Sequence, residues 1–251
     1  MQVQGEFPGV VFSMCELFGM SCQQPDRAVH SLLSFKEFSG ENRDGWGLAY
    51  YQDGKAVIER EPGGAGSSEK FRALIRNAAS RIIIAHLRSA TRGVVCTNNC
   101  HPFRRDLCDR DWVFAHNGTI PGIPLHPRSE GTTDSEQAFH VLADAIESSM
   151  NRPGFHGLYP AVKDGIRTLF ERYSRDITFN FLLSDGSVLY AFNHYAAAPL
   201  YMSRREKDYG GAIVISTKKL GSPHYASWEK IPPDRVVVVS DGRLLVVSKK
   251  I

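Results

Sequence analysis

Short apolar runs recur along the chain. Those at 47–52, 56–60, 82–86, 112–115, 177–184, 188–193, 212–217, 236–240 and 244–248 predict β-strands. Three Asp-Gly pairs, Asp53-Gly54, Asp185-Gly186 and Asp241-Gly242, fall between strand-like runs. Such a pair tolerates the positive φ of a tight hairpin, so much of the sheet is expected to be antiparallel. Elsewhere the apolar spacing changes to three or four, and this predicts helices over 26–38, 69–79, 135–148 and 159–173. The Gly-rich piece 63–68 reads as a loop before the second helix. Trp228 and Pro232-Pro233 read as a loop between strands. Antiparallel runs punctuated by pairs of helices predict an α+β class with segregated layers and enough strands for two sheets. With no internal repeat and no linker-like tract, one domain is expected.

Composition narrows the partners. At 251 residues and 42% hydrophobic, the chain is long enough for one sizeable core or two small ones, as in an ordinary soluble globular protein. The net charge of +3 is spread out, and the nearest thing to a basic run, Arg204, Arg205 and Lys207, is broken by Glu206, so nucleic acid is not an expected partner. No apolar stretch approaches the roughly 20 residues of a membrane span, and residues 1–13 lack the features of a secretory signal. A cytoplasmic protein without membrane contact is expected. The five cysteines, at 15, 22, 96, 100 and 108, are odd in number and too few to staple the chain, which points to reduced thiols. Cys96, Cys100, His101 and Cys108 fit no compact zinc spacing, and His126, His140, His156, His194 and His224 have no ligand-like spacing, so no metal or other cofactor is expected.

Four clusters carry candidate chemistry. Cys15 follows Met14 at the head of an apolar run. As the first residue of a trimmed chain it would hold its own α-amine beside the thiol. An amine with a pKa near 7.7 to 8.0 can take the thiol proton at neutral pH; a buried core cysteine is the structural alternative. Arg88, at the end of the run 82–86 and before Gly93, can present its planar fork to a carboxylate or serve only in a salt bridge. Asn117 with Gly118 closes the run 112–115 and can offer two hydrogen-bond donors to one oxygen, or be only a tight turn. Asp134 lies in Thr133-Asp134-Ser135-Glu136, which fits a helix capping box and also places a carboxylate where it could pair with an ammonium group.

In order and spacing these clusters, together with Asp44-Gly45-Trp46-Gly47 and the Asn98 to Phe103 segment, closely resemble the small stand-alone branch of the class II glutamine amidotransferases, which are N-terminal-nucleophile hydrolases. The landmarks run from residue 14 to 136. The resemblance implies a four-layer αββα sandwich with Cys15 as nucleophile at the start of a central strand. It further implies that Asn117 and Gly118 hold the oxyanion, that Arg88 grips the α-carboxylate of glutamine, that Asp134 takes its α-ammonium, and that Thr91 lines the pocket. The substrate would be glutamine or a similar γ-glutamyl small molecule, cleaved through a glutamyl thioester. An ammonia-accepting synthase, if used, would be a separate subunit, and a free-standing hydrolase of γ-glutamyl peptides or conjugates is the alternative. An inactive ligand-sensing or scaffold relative would be expected to lose the nucleophile or the oxyanion donors, and neither is lost.

Two positions depart from the pattern. Arg92 stands where synthase-linked members usually have histidine. Residues 1–13 precede the nucleophile, and while they are attached Cys15 has no free amine. They are expected to be a leader or a mis-assigned start, with 14–251 forming the amidotransferase domain.

Overall fold

The computed structural model describes residues 14–91, 93–154, 157–205, 211–221 and 225–251. The expectations for residues 1–13, Arg92, Lys207, His156 and His224 lie outside the described residues. The elements run β1 (Glu16–Asp26), α1 (Val29–Lys36), β2 (Gly45–Gln52), β3 (Lys55–Glu61), α2 (Glu69–Asn77), β4 (Ser80–Arg88), β5 (Phe103–Leu107), β6 (Arg110–Thr119), α3 (Asp134–Met150), α4 (Leu158–Tyr173), β7 (Thr178–Ser184), β8 (Leu189–Asn193), β9 (Tyr201–Arg205), β10 (Ala212–Ser216), β11 (Glu229–Lys230), β12 (Arg235–Ser240) and β13 (Arg243–Val247).

One sheet has seven strands in the order β11-β9-β10-β1-β4-β2-β3, the other six in the order β13-β12-β8-β7-β6-β5. Every strand pairing is antiparallel. All three Asp-Gly pairs make the expected hairpins: Asp53 and Gly54 have φ of 50° and 76°, Gly186 has 89°, and Asp241 and Gly242 have 47° and 67°.

The alternation of side chains divides the core into three apolar layers. Phe18 and Met20 of β1 face one helix layer and pack with Leu32 and Phe35 of α1 and Phe71 and Ile75 of α2. Leu17, on the opposite face of the same strand, meets Ala115, Leu182, Ile213 and Val237 between the two sheets. The third layer joins Phe114, Phe179, Phe181 and Phe192 of the six-stranded sheet to Phe139 and Leu142 of α3 and Ile166 and Leu169 of α4. This is a four-layer αββα sandwich. Central strands buried on both faces have no polar side to show, which is why β1 and β4 read as continuous buried runs.

Several elements depart from the sequence-based expectation. The strands β5 (FRRDL), β9 (YMSRR) and β11 (EK) are too short and too charged to show an apolar run. The arginines read as the start of a basic run lie in β9, where Arg205 forms an ion pair with Asp26. The tight-turn alternative for Asn117-Gly118 is also corrected. β6 continues through Thr119, with Asn117 opposite Asn180 and Gly118 opposite Phe179 of β7, because seven residue pairs of ladder hold the strand straight.

Glycine is required where the loop before β5 crosses β2. A Cβ on Gly47 would lie 1.9 Å from the carbonyl oxygen of His101. Backbone cannot give way cheaply there, so Gly47→Ala is expected to cost about 3 kcal/mol, read as a lower urea midpoint with an unchanged slope; an unshifted midpoint would show that the crossing is loose.

Candidate active site

Cys15 immediately precedes β1, which lies between β10 and β4 in the middle of its sheet. Its thiol is half-buried against the end of β4: Sγ donates to the carbonyl of Ser89 at 3.3 Å, and the Ser89 amide donates back to Sγ at 3.3 Å. From the facing sheet, Asn117 Nδ2 donates to the Cys15 carbonyl at 2.5 Å. Burial pushes the thiol pKa up to about 11, against the smaller opposing effects of the Ser89 hydrogen bond and the Arg88 charge. At neutral pH this thiol is protonated and needs a base beside it to become a nucleophile.

The neighbours of Cys15 are held by a chain of backbone contacts. Asp44 accepts from the Ala90 amide at 2.7 Å and donates its own amide to the Arg88 carbonyl at 3.0 Å, which clamps the end of β4. Arg88 is buried, and its guanidinium donates to the carbonyls of Gly93 and Val94 at 3.2 and 3.3 Å. Asn99 ties the same loop to the α3 entry, donating to Val94 O and accepting from the Thr132 amide at 2.8 Å. Thr91 lies exposed on a bend of this loop. Gly118 has φ of 151°, and a Cβ there would lie 2.0 Å from the Thr178 carbonyl.

Asp134 opens α3 and is half-buried, accepting from the amides of Ile120 and Ser135 at 2.8 and 3.0 Å. The capping box is only half made. Thr133 accepts from the Glu136 amide, but the Glu136 carboxylate turns to the amides of Glu130 and Gly131, each at 2.8 Å. His116 joins this helix to β7. Its Nε2–H donates to the Thr178 carbonyl at 3.2 Å, so its Nδ1 accepts from the Ser135 hydroxyl at 2.8 Å. The structure thus brings Cys15, Ser89 and Asn117 into direct contact, and His116 links the Asn117 strand to the residue after Asp134.

Sequence reasoning missed several residues of this region. Ser89 acts through its main chain, which gives no side-chain signal in the sequence, and the Asp44 carboxylate takes up the Ala90 amide, a partner 46 positions away. Glu16, also unassigned, is buried; it accepts from the Thr217 hydroxyl at 2.5 Å and pairs with Lys218 at 3.3 Å. A pocket of about 290 Å³ opens beside Cys15, bounded by Met14, Cys15, Glu16, Tyr201, Lys218 and Lys219. A larger cavity of about 650 Å³ lies at the outer edges of β3 and β5 and has none of the candidate residues in its lining. Trp46 packs edge-on against Phe71 in the helix-facing core, ring centres 5.0 Å apart. No group of three or more metal-ligating side chains is gathered among the described residues, and none of their helices is long and apolar enough to cross a membrane.

Cys15 thus heads a central strand, and the Asn117 amide reaches its carbonyl from the facing sheet. Residues 14–213 match the family model of the class-II glutamine amidotransferases. The chain belongs to this family. Like other class-II glutamine amidotransferases, it has relatives named for that activity: it is 32% identical over 211 residues, 80% of each chain, to YafJ of Escherichia coli (strain K12), a candidate glutamine amidotransferase. It is 28% identical over 113 residues, 44% of each chain, to the gamma-glutamyl-hercynylcysteine sulfoxide hydrolase of Mycobacterium tuberculosis (strain H37Rv). Among solved structures, a predicted glutamine amidotransferase from Pseudomonas aeruginosa PA01 shares the fold, with a TM-score of 0.65 at 24% identity over 92% of this chain and 100% of that one. The amidotransferase is therefore an enzyme-family member with the N-terminal-nucleophile sandwich.

Beneath the site of this amidotransferase lie three buried histidines, His86, His101 and His116, with the rings of His86 and His101 4.1 Å apart. Burial lowers the pKa of His86 to about 3 and moves His101 and His116 in the same direction. The unfolded chain, with histidine near 6.5, takes up protons that the fold refuses. Stability is therefore full above about pH 6.5 and falls as pH drops towards 3, by about 1.4 kcal/mol per pH unit for His86 alone. Urea melts at pH 7 and pH 5 should separate clearly; superimposable curves would mean that these rings accept protons in the fold.

Proposed function

We propose that the active protein begins at Cys15, comprises residues 14–251 less the trimmed Met14, and cleaves the side-chain amide of glutamine or of a γ-glutamyl compound. The reading rests above all on one contact, the Asn117 amide 2.5 Å from the nucleophilic residue's own carbonyl. An –NH₂ group has two hydrogens. One holds the Cys15 carbonyl, and the other is available to an oxyanion beside Sγ, with the Gly118 N–H as second donor.

The steps balance without a cofactor. The Cys15 α-amine takes the thiol proton, Sγ attacks the γ-carbonyl carbon, and a tetrahedral oxyanion forms on the Asn117 side. The C–N bond then breaks as the α-ammonium returns its proton to the leaving amine, leaving a C–S thioester. Water adds to the thioester, the C–S bond breaks, and glutamate leaves with the thiol restored. Arg88 binds the α-carboxylate of the glutamyl group, Asp134 its α-ammonium, and Thr91 borders the entrance. Burial disfavours the thiolate while Cys15 is bonded to Met14, and the amine released on trimming supplies the base for the thiol proton at neutral pH.

Two outlets fit this chemistry: ammonia handed to a separate synthase subunit, or hydrolysis of γ-glutamyl conjugates. The pocket beside Cys15 and the Mycobacterium tuberculosis relative favour the second.

A chain started at Met14 should have a mass matching an N-terminal Cys15 and release ammonia and glutamate from glutamine. Cys15→Ala should abolish turnover, and Asn117→Ala should lower kcat about 100- to 1,000-fold. Equal activity in a chain shown by intact mass to retain residues 1–13 would refute the mechanism.

A further inference from the structure

The position of the leaving amine follows from the proton it must receive. In the mechanism proposed above, on which this inference rests, that proton comes from the Cys15 α-nitrogen, the atom to which Met14 is bonded before trimming. The leaving group must therefore come within hydrogen-bond reach of that nitrogen. The pocket of about 290 Å³ is lined by Met14, Cys15 and Glu16 at this same point, so trimming takes away one of its lining residues. Its size is at the lower end for a small-molecule site, which suits a single amino acid better than a large conjugate.

The walls give the pocket a chemistry. Residues 197–199 and the ring of Tyr201 supply an apolar side. Lys218 is already neutralised by the buried Glu16 carboxylate, which is itself fixed by the Thr217 hydroxyl. Lys219 stands over the Tyr201 ring at 5.1 Å, with no carboxylate partner among the described residues, and is the uncompensated cation of the pocket. An ammonium held against an aromatic wall and left without a counter-ion favours an anionic group on the ligand.

We infer that this pocket is a leaving-group site, and that the preferred substrates are γ-glutamyl amino acids whose free carboxylate is met by Lys219. The amide nitrogen of the second residue would sit beside the Cys15 amine, its side chain against Tyr201 and residues 197–199. On cleavage the γ-carbonyl C–N bond breaks, the C–S bond forms, and the freed amino acid takes the proton from the α-ammonium. Water then releases glutamate.

The test uses the protein with a verified N-terminal Cys15 and three substrates: γ-glutamyl-alanine, γ-glutamyl-alaninamide and glutamine. The acid should exceed the alaninamide in kcat/KM by about three- to tenfold, mostly through KM. In Lys219→Ala that ratio should fall to near one, and in Lys219→Glu it should invert; because Lys219 is exposed, neither change threatens the fold. A wild-type ratio of one, or a preference that survives Lys219→Glu, with glutamine still cleaved, overturns the leaving-group site and leaves the Cys15 mechanism standing. If none of the three substrates turns over, the nucleophile reading falls and this inference with it.

Discussion

The site depends on two strands from different sheets ending at the same level. β1 delivers Cys15 and β6 delivers Asn117, and a hydrogen bond of 2.5 Å joins them across 102 positions of sequence. Neither sheet alone makes this contact. It requires the apolar layer between them, in which Leu17, two residues after Cys15, packs in the same cluster as Ala115, two residues before Asn117. The stacking distance of two sheets is set by the side chains between them, so the reach of Asn117 to Cys15 is a property of the core.

Around this contact the protein uses backbone amides and carbonyls more than side-chain pairs. Ser89 holds the thiol through its main chain, Asp44 clamps Arg88 and Ala90, and Asn99 ties the loop after β4 to the entrance of α3. Glycines make these crossings possible, as at Gly47 beneath the His101 carbonyl and at Gly118 against Thr178. The three neutral histidines beneath fill the space with rings that burial keeps uncharged. Arg88, a buried cation near them, is held instead by the carbonyls of Gly93 and Val94.

Much of the fold was legible because its signals are local. Asp-Gly between apolar runs sets a hairpin whatever surrounds it, and all three pairs made one. The four helices were readable from spacing, and α2 and α3 begin on Ser68 and Thr133, which cap their first turns. What local pattern could not show were β5, β9 and β11, whose charged residues are tolerated because partner strands and ion pairs, such as Arg205 with Asp26, satisfy them. Asn117-Gly118 is the sharper case. Its composition fits a turn, but pairing with β7 outweighs that preference and keeps it in a strand, where the Asn117 side chain reaches Cys15.

The sequence by itself determined the chemistry on offer: a cysteine after a methionine, an asparagine-glycine pair, an arginine at a strand end and an aspartate at a helix start, in the order of the class-II amidotransferases. These are matters of residue type and spacing, which the chain carries before it folds. Only the tertiary structure decided that Ser89 holds the thiol, that burial raises its pKa to about 11, and that Lys219 and Tyr201 face a pocket next to Cys15. Those outcomes join residues up to about two hundred positions apart, and burial and proximity across such distances exist only after the two sheets have closed on each other.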